Sequence, residues 1–340
     1  METSRLHHAD TASVDQAHEV AAAAFAVDRP GVPLLARDAF RALLTGPSHG
    51  GINVTVLARE GGRVVGFAFV EMHEEDNRHL ADVWAMVEPG RRHQGIGRAM
   101  FDSVAEVMRE HGRDTLHAEV NVPIDGGGGS LDGRRFCEAA GMEAASASNY
   151  LRLDLSTVDE SAIERLRREA WSKAAGYSPV QWIDGADGDT PAEVLEGLAA
   201  LLSRFYGDTP TGTLEVEELA YTPERILADN ARNARQNRRT VNTAIRHDAG
   251  GEVIAWTKIH FRDSAPQYGM QGITMVAREH RGHRLGTVLK TENLLLAVRT
   301  APSLAVIDTD NAKDNAPMLA VNVAMGFEPF QDAVIYQLKL

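Results

Sequence analysis

Polar and apolar residues alternate over 53–57 (Asn-Val-Thr-Val-Leu), the period of a half-buried strand, and a second β-rich run follows at 64–70 after Gly61-Gly62. Two such runs joined by glycines predict a hairpin. The arrangement returns at 240–245 and 253–259 around Gly250-Gly251. Apolar spacing predicts helices at 14–24, 35–44, 97–111 and 131–140, with strands at 83–87 and 115–120. The second half repeats this with helices at 192–205, 223–236, 286–298 and 316–325 and strands at 271–276 and 304–308. β-rich runs at 149–155 and 333–340, each behind a helix ending at Gly141 or Gly326, are expected to close their own halves. Strands and helices mixed around one sheet predict an α/β fold of the α+β mixed-sheet kind.

The two halves are an internal repeat. Gly62 matches Gly251, 189 residues later, and Val87, Arg92 and Gly97 match Val276, Arg281 and Gly286 at the same spacing. Two tandem domains are expected, 1–156 and 177–340, joined by a solvated connecting helix over 157–176 that is rich in charge. The Gly126–Ser130 run has the composition of a flexible loop.

Composition narrows the function. A net charge of -13 would repel a phosphate backbone or an anionic bilayer, so no nucleic acid and no membrane partner is expected. No apolar run approaches the ~18 residues of a membrane span, and the start of the chain lacks a signal-like apolar stretch. Cys137 is the single cysteine, which excludes an internal disulfide or a cysteine zinc cluster and points to a cytoplasmic protein.

The chemistry concentrates after the third strand of each half. Val87-Glu88-Pro89-Gly90-Arg91-Arg92-His93-Gln94-Gly95-Ile96-Gly97-Arg98-Ala99 leaves a strand and opens a helix, where free amides and the helix dipole favour an anion. A P-loop would need Gly-Lys-Ser/Thr, and a dinucleotide fingerprint a third glycine where Met100 stands. The segment resembles the acyl-coenzyme A loop of the GNAT superfamily of N-acetyltransferases, and Val276-Ala277-Arg278-Glu279-His280-Arg281-Gly282-His283-Arg284-Leu285-Gly286 is similar to it in the second half. The resemblance therefore implies two tandem GNAT-like acyl-CoA N-acyltransferase domains, each with a splayed pair of central strands. It assigns cofactor binding to Val87, Arg92, His93, Gln94, Gly95, Ile96, Gly97 and Arg98, and to Val276, Arg281, Gly282, His283, Arg284, Leu285 and Gly286. Arg278 replaces the motif proline, and Arg284 its first glycine.

The family's second signature places an Asn on the pantetheine and a Tyr beside the departing thiolate. The second half keeps the Asn as Asn315 but has Asn322 for the Tyr; the first half has Ser130 and Cys137. Asn315 points to the second half as the one performing the chemistry. Transfer to an amine needs the neutral amine, hence a proton acceptor. The strands before the loops offer Asp82 as a base and Gln271 as an orienting group, with Asn322 as a third candidate; His260, Asp263, Asp308, Asp310 and Glu119 are alternatives. His280 and His283 lack a third ligand nearby in sequence, so no metal is expected. The expected activity is direct transfer of acetyl from acetyl-CoA to an amine, most simply of a small molecule. Its rival is an acyl-CoA-binding regulatory protein, which the missing tyrosines favour.

Overall fold

The computed structural model describes residues 1–46, 50–124, 128–185 and 188–340. Gly126 and Gly127 of the glycine run lie outside them. In chain order the elements are β1 (Glu2–Arg5), α1 (Thr11–Asp28), α2 (Arg37–Thr45), β2 (Gly51–Glu60), β3 (Arg63–His73), β4 (Leu80–Val87), α3 (Ile96–Glu110), β5 (Thr115–Pro123), α4 (Asp132–Ala139) and β6 (Glu143–Asp154). There follow α5 (Glu160–Trp171), β7 (Tyr177–Asp184), α6 (Ala192–Ser203), α7 (Phe205–Asp208), α8 (Pro223–Arg235), β8 (Arg238–His247), β9 (Val253–Arg262), β10 (Ala265–Val276), α9 (Leu285–Thr300), β11 (Val306–Ala312), α10 (Ala316–Ala324) and β12 (Glu328–Lys339). No helix among the described residues is long and apolar enough to cross a membrane.

The chain forms two compact units. Unit 1 comprises Met1–Ala147, Thr211–Val216 and Gln331–Leu340; unit 2 comprises Ser148–Pro210 and Glu217–Phe330. In unit 1 the strands run β1-β2-β3-β4-β5-β12, antiparallel except for β4 with β5. Alternation along β2 and β3 sends Leu57, Phe67 and Phe69 to one face, against Val14 of α1 and Phe40 of α2, and Val56, Ala68 and Val70 to the other, against Val104 and Met108 of α3. Unit 2 is laid out alike: β6-β11-β10-β9-β8-β7, with α9 against Val241, Ile259 and Phe261 and α6 reaching the opposite side of β9.

Two expectations are corrected here. The closing runs at 149–155 and 333–340 are strands, but they change places: Ser148 to Asp154 of β6 pair with β11 in unit 2, and Gln331 to Lys339 of β12 pair with β5 in unit 1. Nor is the helix over 157–176 merely solvated. In α5, Ile163 and Ala170 are buried in unit 2, and Glu292 of α9 accepts from Arg167 Nε and Trp171 Nε1, each at 2.6 Å. Its apolar positions share one face while its charges occupy the rest, so the charge run concealed a packed side.

The central parallel pairs part early. β4 and β5 are in register from Leu80↔Thr115 only to Asp82↔His117, and β10 and β11 from Tyr268↔Val306 only to Gln271↔Thr309. Beyond those residues the two strands of each pair are no longer in register with one another, at the ends nearest the loops into α3 and α9, which is the place for a cleft in each unit.

Candidate active site

Helix α3 begins at Gly95 and α9 at Arg284, and neither start has a side-chain cap. Side chains close α1, α5, α8 and α10 (Asp10, Asp159, Thr222 and Asn315), while α2, α4, α6 and α7 also lack a side-chain cap, so it is the glycine-bearing left-handed loop together with the missing cap that sets α3 and α9 apart. First-turn amides at α3 and α9 are thus left for another acceptor. Both loops adopt the same backbone. His93 and Gly95 are left-handed in unit 1 (φ 60° and 82°), as are the matching Gly282 and Arg284 in unit 2 (φ 90° and 59°). Each loop has one glycine at these two positions, and they have traded places. Arg284 therefore keeps the turn that its lost glycine would have made, at the cost of about 1–2 kcal/mol for a left-handed residue with a Cβ. A Cβ added at Gly95 or Gly282 would meet nothing within 4 Å, so the outer side of both loops is open.

Other loop residues look inward. Arg92 donates to Asp28 Oδ1 and Oδ2 at 2.9 and 2.6 Å, to Asp132 Oδ2 at 3.2 Å and to Val87 O at 3.4 Å. Arg281 repeats the last bond, to Val276 O at 3.1 Å. Both guanidiniums brace the turn from behind, a use of the matched arginines that spacing alone does not reveal. His93 is largely exposed, with Nε2 3.2 Å from Asp132, and Arg98 pairs with Asp102 one turn on. Gln94, His283 and Arg284 are exposed, whereas Ile96 and Leu285 are buried anchors of the helix starts.

Gly97 also faces the protein. A Cβ there would lie 3.1 Å from Phe136 Cε2 of α4. Gly97→Val should therefore displace the partly exposed Phe136 ring and lower stability by about 1 kcal/mol or less, and Phe136→Ala in the same chain should remove that loss. Thermal unfolding of the single and double variants checks this; a loss untouched by Phe136→Ala would contradict it.

At the mouth of unit 1's cleft, Asp82 Oδ2 is 2.9 Å from His73 Nε2 and Oδ1 is 4.0 Å from His117 Nδ1. His117 Nε2 donates to Gln337 Oε1 at 2.8 Å. The bond to Asp82 raises the pKa of His73 above the ordinary histidine value, against the opposing effect of burial. His73 and Asp82 together can collect and hold a proton. His73 escaped the sequence reading because it ends a strand, with no motif beside it. Gln271, the counterpart of Asp82, is buried and donates from Nε2 to Thr257 Oγ1 (2.9 Å) and Lys258 O (2.8 Å), so its amide is committed to the fold.

The tyrosine positions hold no ready acid. Cys137 is buried, which pushes its thiol up to about 12. Asn322 is fully buried and accepts from Lys290 Nζ at 2.5 Å, so it braces a buried lysine and the expected catalytic part is corrected on that geometry. Asn315 caps α10 by accepting from Met318 N at 3.4 Å, and its Nδ2 has no partner among the described residues. Of the alternatives, Asp308 is taken by Arg152, Asp263 is exposed, and His260 faces a cationic recess in unit 2. His247, Glu252 and His280 bring ligand atoms within 4.8 Å of one another, a possible cation grouping that required the fold to assemble; Glu252 and Tyr177 already bond the two rings.

Residues 19–125 match the Acetyltransferase (GNAT) family. No curated protein matches the sequence. Among solved structures, the chain is similar to a tandem GNAT protein from the clavulanic acid biosynthesis pathway, at 29% identity and a TM-score of 0.80, covering 99% of this chain and 98% of that one. It also shares its fold with a GCN5-related N-acetyltransferase from Sphaerobacter thermophilus (16% identity, TM-score 0.65, 99% and 95% covered) and a GNAT-family acetyltransferase from Colwellia psychrerythraea (13%, 0.55, 100% of both). Residues 19–125 thus carry the GNAT family's signature, and with unpaired strand ends and a left-handed loop before a helix present in both units, the chain as a whole is similar to a tandem GNAT protein.

Proposed function

We propose that the protein is an N-acetyltransferase that moves acetyl from acetyl-CoA to the amine of a small molecule, and that unit 2 performs the transfer. The observation that supports it most is the pairing, in each unit, of an open left-handed loop before an uncapped helix with a cleft between parting strands. Acetyl-CoA, when bound, supplies an acetyl group activated as a thioester. The amides at Gly95, Ile96 and Gly97 and at Arg284, Leu285 and Gly286 would hold its diphosphate, and Asn315 Nδ2 is a donor for its amide arm. The remaining task is to take the ammonium proton from the acceptor. In unit 2 burial, with the neighbouring cations Arg238, Lys258 and Arg262, holds His260 well below the ordinary histidine value, so it is neutral but a weak base that would relay the proton onward rather than keep it.

A regulatory acyl-CoA-binding protein is the second reading, favoured by the buried Cys137 and Asn322 where an acid is wanted. The deciding assay follows thiol release from acetyl-CoA with a panel of amines, alongside calorimetric counting of coenzyme A sites. Gly95→Glu and Gly282→Glu should each remove one site by setting a carboxylate on the open side of its loop. His260→Gln should lower turnover at least about tenfold and His73→Gln far less. The reverse pattern would move the reaction to the cleft beside Asp82. Binding without thiol release for any amine would favour regulation.

A further inference from the structure

On the α8 side of unit 2's sheet, four basic residues meet where β8 and β9 run antiparallel. Arg238 stands directly opposite Arg262, Thr240 opposite His260 and Asn242 opposite Lys258, so Arg238, Lys258, His260 and Arg262 share one face. The other face of β9 is accounted for by Ile259 and Phe261 in the core. Like charges directly opposite across a strand pair repel. Such an arrangement needs compensation, and little is present. Among the described residues no carboxylate pairs with Arg238, Lys258 or Arg262. Arg238 donates only to the neutral Asn233 Oδ1 at 3.1 Å, and Lys258 Nζ lies over the Trp256 ring at 4.9 Å. The Nε atoms of Arg238 and Arg262 are buried without a partner.

Asp229 and Asp184 attract Lys258 without forming an ion pair with it, because their oxygens are held elsewhere. Asp229 is 3.1 Å from Arg232, and Asp184, buried, accepts from Thr190 (2.7 Å), Asn242 (2.8 Å) and Trp182 (3.2 Å). All four basic side chains are half-buried, so part of each stays accessible on this face. Burial, helped by repulsion from neighbouring arginines, lowers Lys258 to about 8 and Arg238 to about 9.

The recess adjoins the cleft. Gln271, the last residue in register with β11, bonds to Lys258 O, and the Lys258 side chain lies against Gly272, where an added Cβ would be 3.3 Å from its Cγ and Cε. Any larger residue at 272 would crowd the lysine.

We propose that Arg238, Lys258 and Arg262 form an anion-receiving subsite for a carboxylate of the acceptor, so that unit 2 takes an amine that is also an acid, such as an amino acid. This rests on the reading that unit 2 performs the transfer. A carboxylate supplies the missing counter-charge and can be held by the forked donors of two arginines. The residual positive field disfavours an ammonium beside it and so favours the neutral amine that attacks.

The test has a binding arm and a turnover arm, both on the full chain. Thermal unfolding at constant ionic strength is followed with glutarate, inorganic phosphate or chloride. Glutarate should raise the melting temperature of the parent protein above the chloride control and above phosphate. Arg238→Gln/Arg262→Gln should melt higher than the parent without ligand, because repulsion is relieved, and should no longer respond to glutarate. In the turnover arm, kcat/KM for L-lysine should exceed that for cadaverine, and for 4-aminobutyrate that for butylamine, by at least about tenfold, with the ratio erased in the double variant. No response to glutarate, an equal response in the double variant, or preferential protection by phosphate would overturn the carboxylate subsite. Absence of transfer to every amine, with glutarate protection intact, would instead refute transfer in unit 2 and leave the subsite standing.

Discussion

Replacing Arg152 with leucine should destabilise the protein by about 3–5 kcal/mol, the cost of leaving a buried charge without its partner. Arg152 lies on β6 and donates through Nε and a terminal nitrogen to Asp308 Oδ1 and Oδ2 on β11, both at 2.7 Å. Tyr268 Oη adds a third bond to Oδ2 at 2.8 Å, and the guanidinium stacks 4.4 Å from the Phe330 ring centroid. The Asp308 side chain has no exposed surface, so water cannot replace the lost donors. Without Arg152, Asp308 must be buried charged and unpaired or take up a proton. The triple change Arg152→Leu/Asp308→Leu/Tyr268→Phe should recover much of the loss, because it removes the charge along with its partners. Denaturant midpoints at constant slope measure both. A loss under about 1 kcal/mol in the single variant would show that the pair does not secure β6 in unit 2.

That ion pair shows where sequence reading stops. The run at 149–155 announces a strand by its β character, and Arg152 looks like an ordinary outward polar residue within it. Its partner, Asp308, lies 156 residues further along, on a strand of unit 2. Period reveals that a segment is a strand and which residues share a face, but not which neighbour it pairs with; two closing runs of the same character can therefore exchange sheets without leaving a trace in either. The Gly61-Gly62 and Gly250-Gly251 hairpins were legible because turn chemistry is local, and the loops before α3 and α9 because glycine, arginine and helix start fall within a dozen residues. The exchange of left-handed positions between His93/Gly95 and Gly282/Arg284 needed backbone angles. His73 with Asp82, and the four basic residues of β8 and β9, are cross-strand groupings. Their members are 9 residues apart in the first case and, for Arg238 and Arg262, opposite each other across the hairpin.

The largest gain in stability is expected from Lys290→Met/Asn322→Leu. Lys290 is 1% exposed inside unit 2, its Nζ bonded to Asn322 Oδ1 and 4.8 Å from the Phe327 ring centroid. Loss of hydration lowers it to about 7, and attraction from Asp310 restores only part of the difference. The unfolded chain returns the lysine to about 10.5, so between those values the unfolded state binds the extra proton and stability rises with pH. The burden is greatest at and below pH 7, where it amounts to about 4 kcal/mol, and it fades as pH approaches 10. Asn322 adds to it, since its buried Nδ2 has no partner. Methionine and leucine fill comparable space without polar atoms, and the double variant should be more stable by about 2–4 kcal/mol at pH 7. Lys290→Met alone should gain less, because it strands Asn322 Oδ1 as well. Denaturation at pH 6, 7.5 and 9 separates this account from simple repacking. The parent should gain on the double variant as pH rises, whereas parallel pH profiles would mean that Lys290 is charged in both states and that its burial costs little.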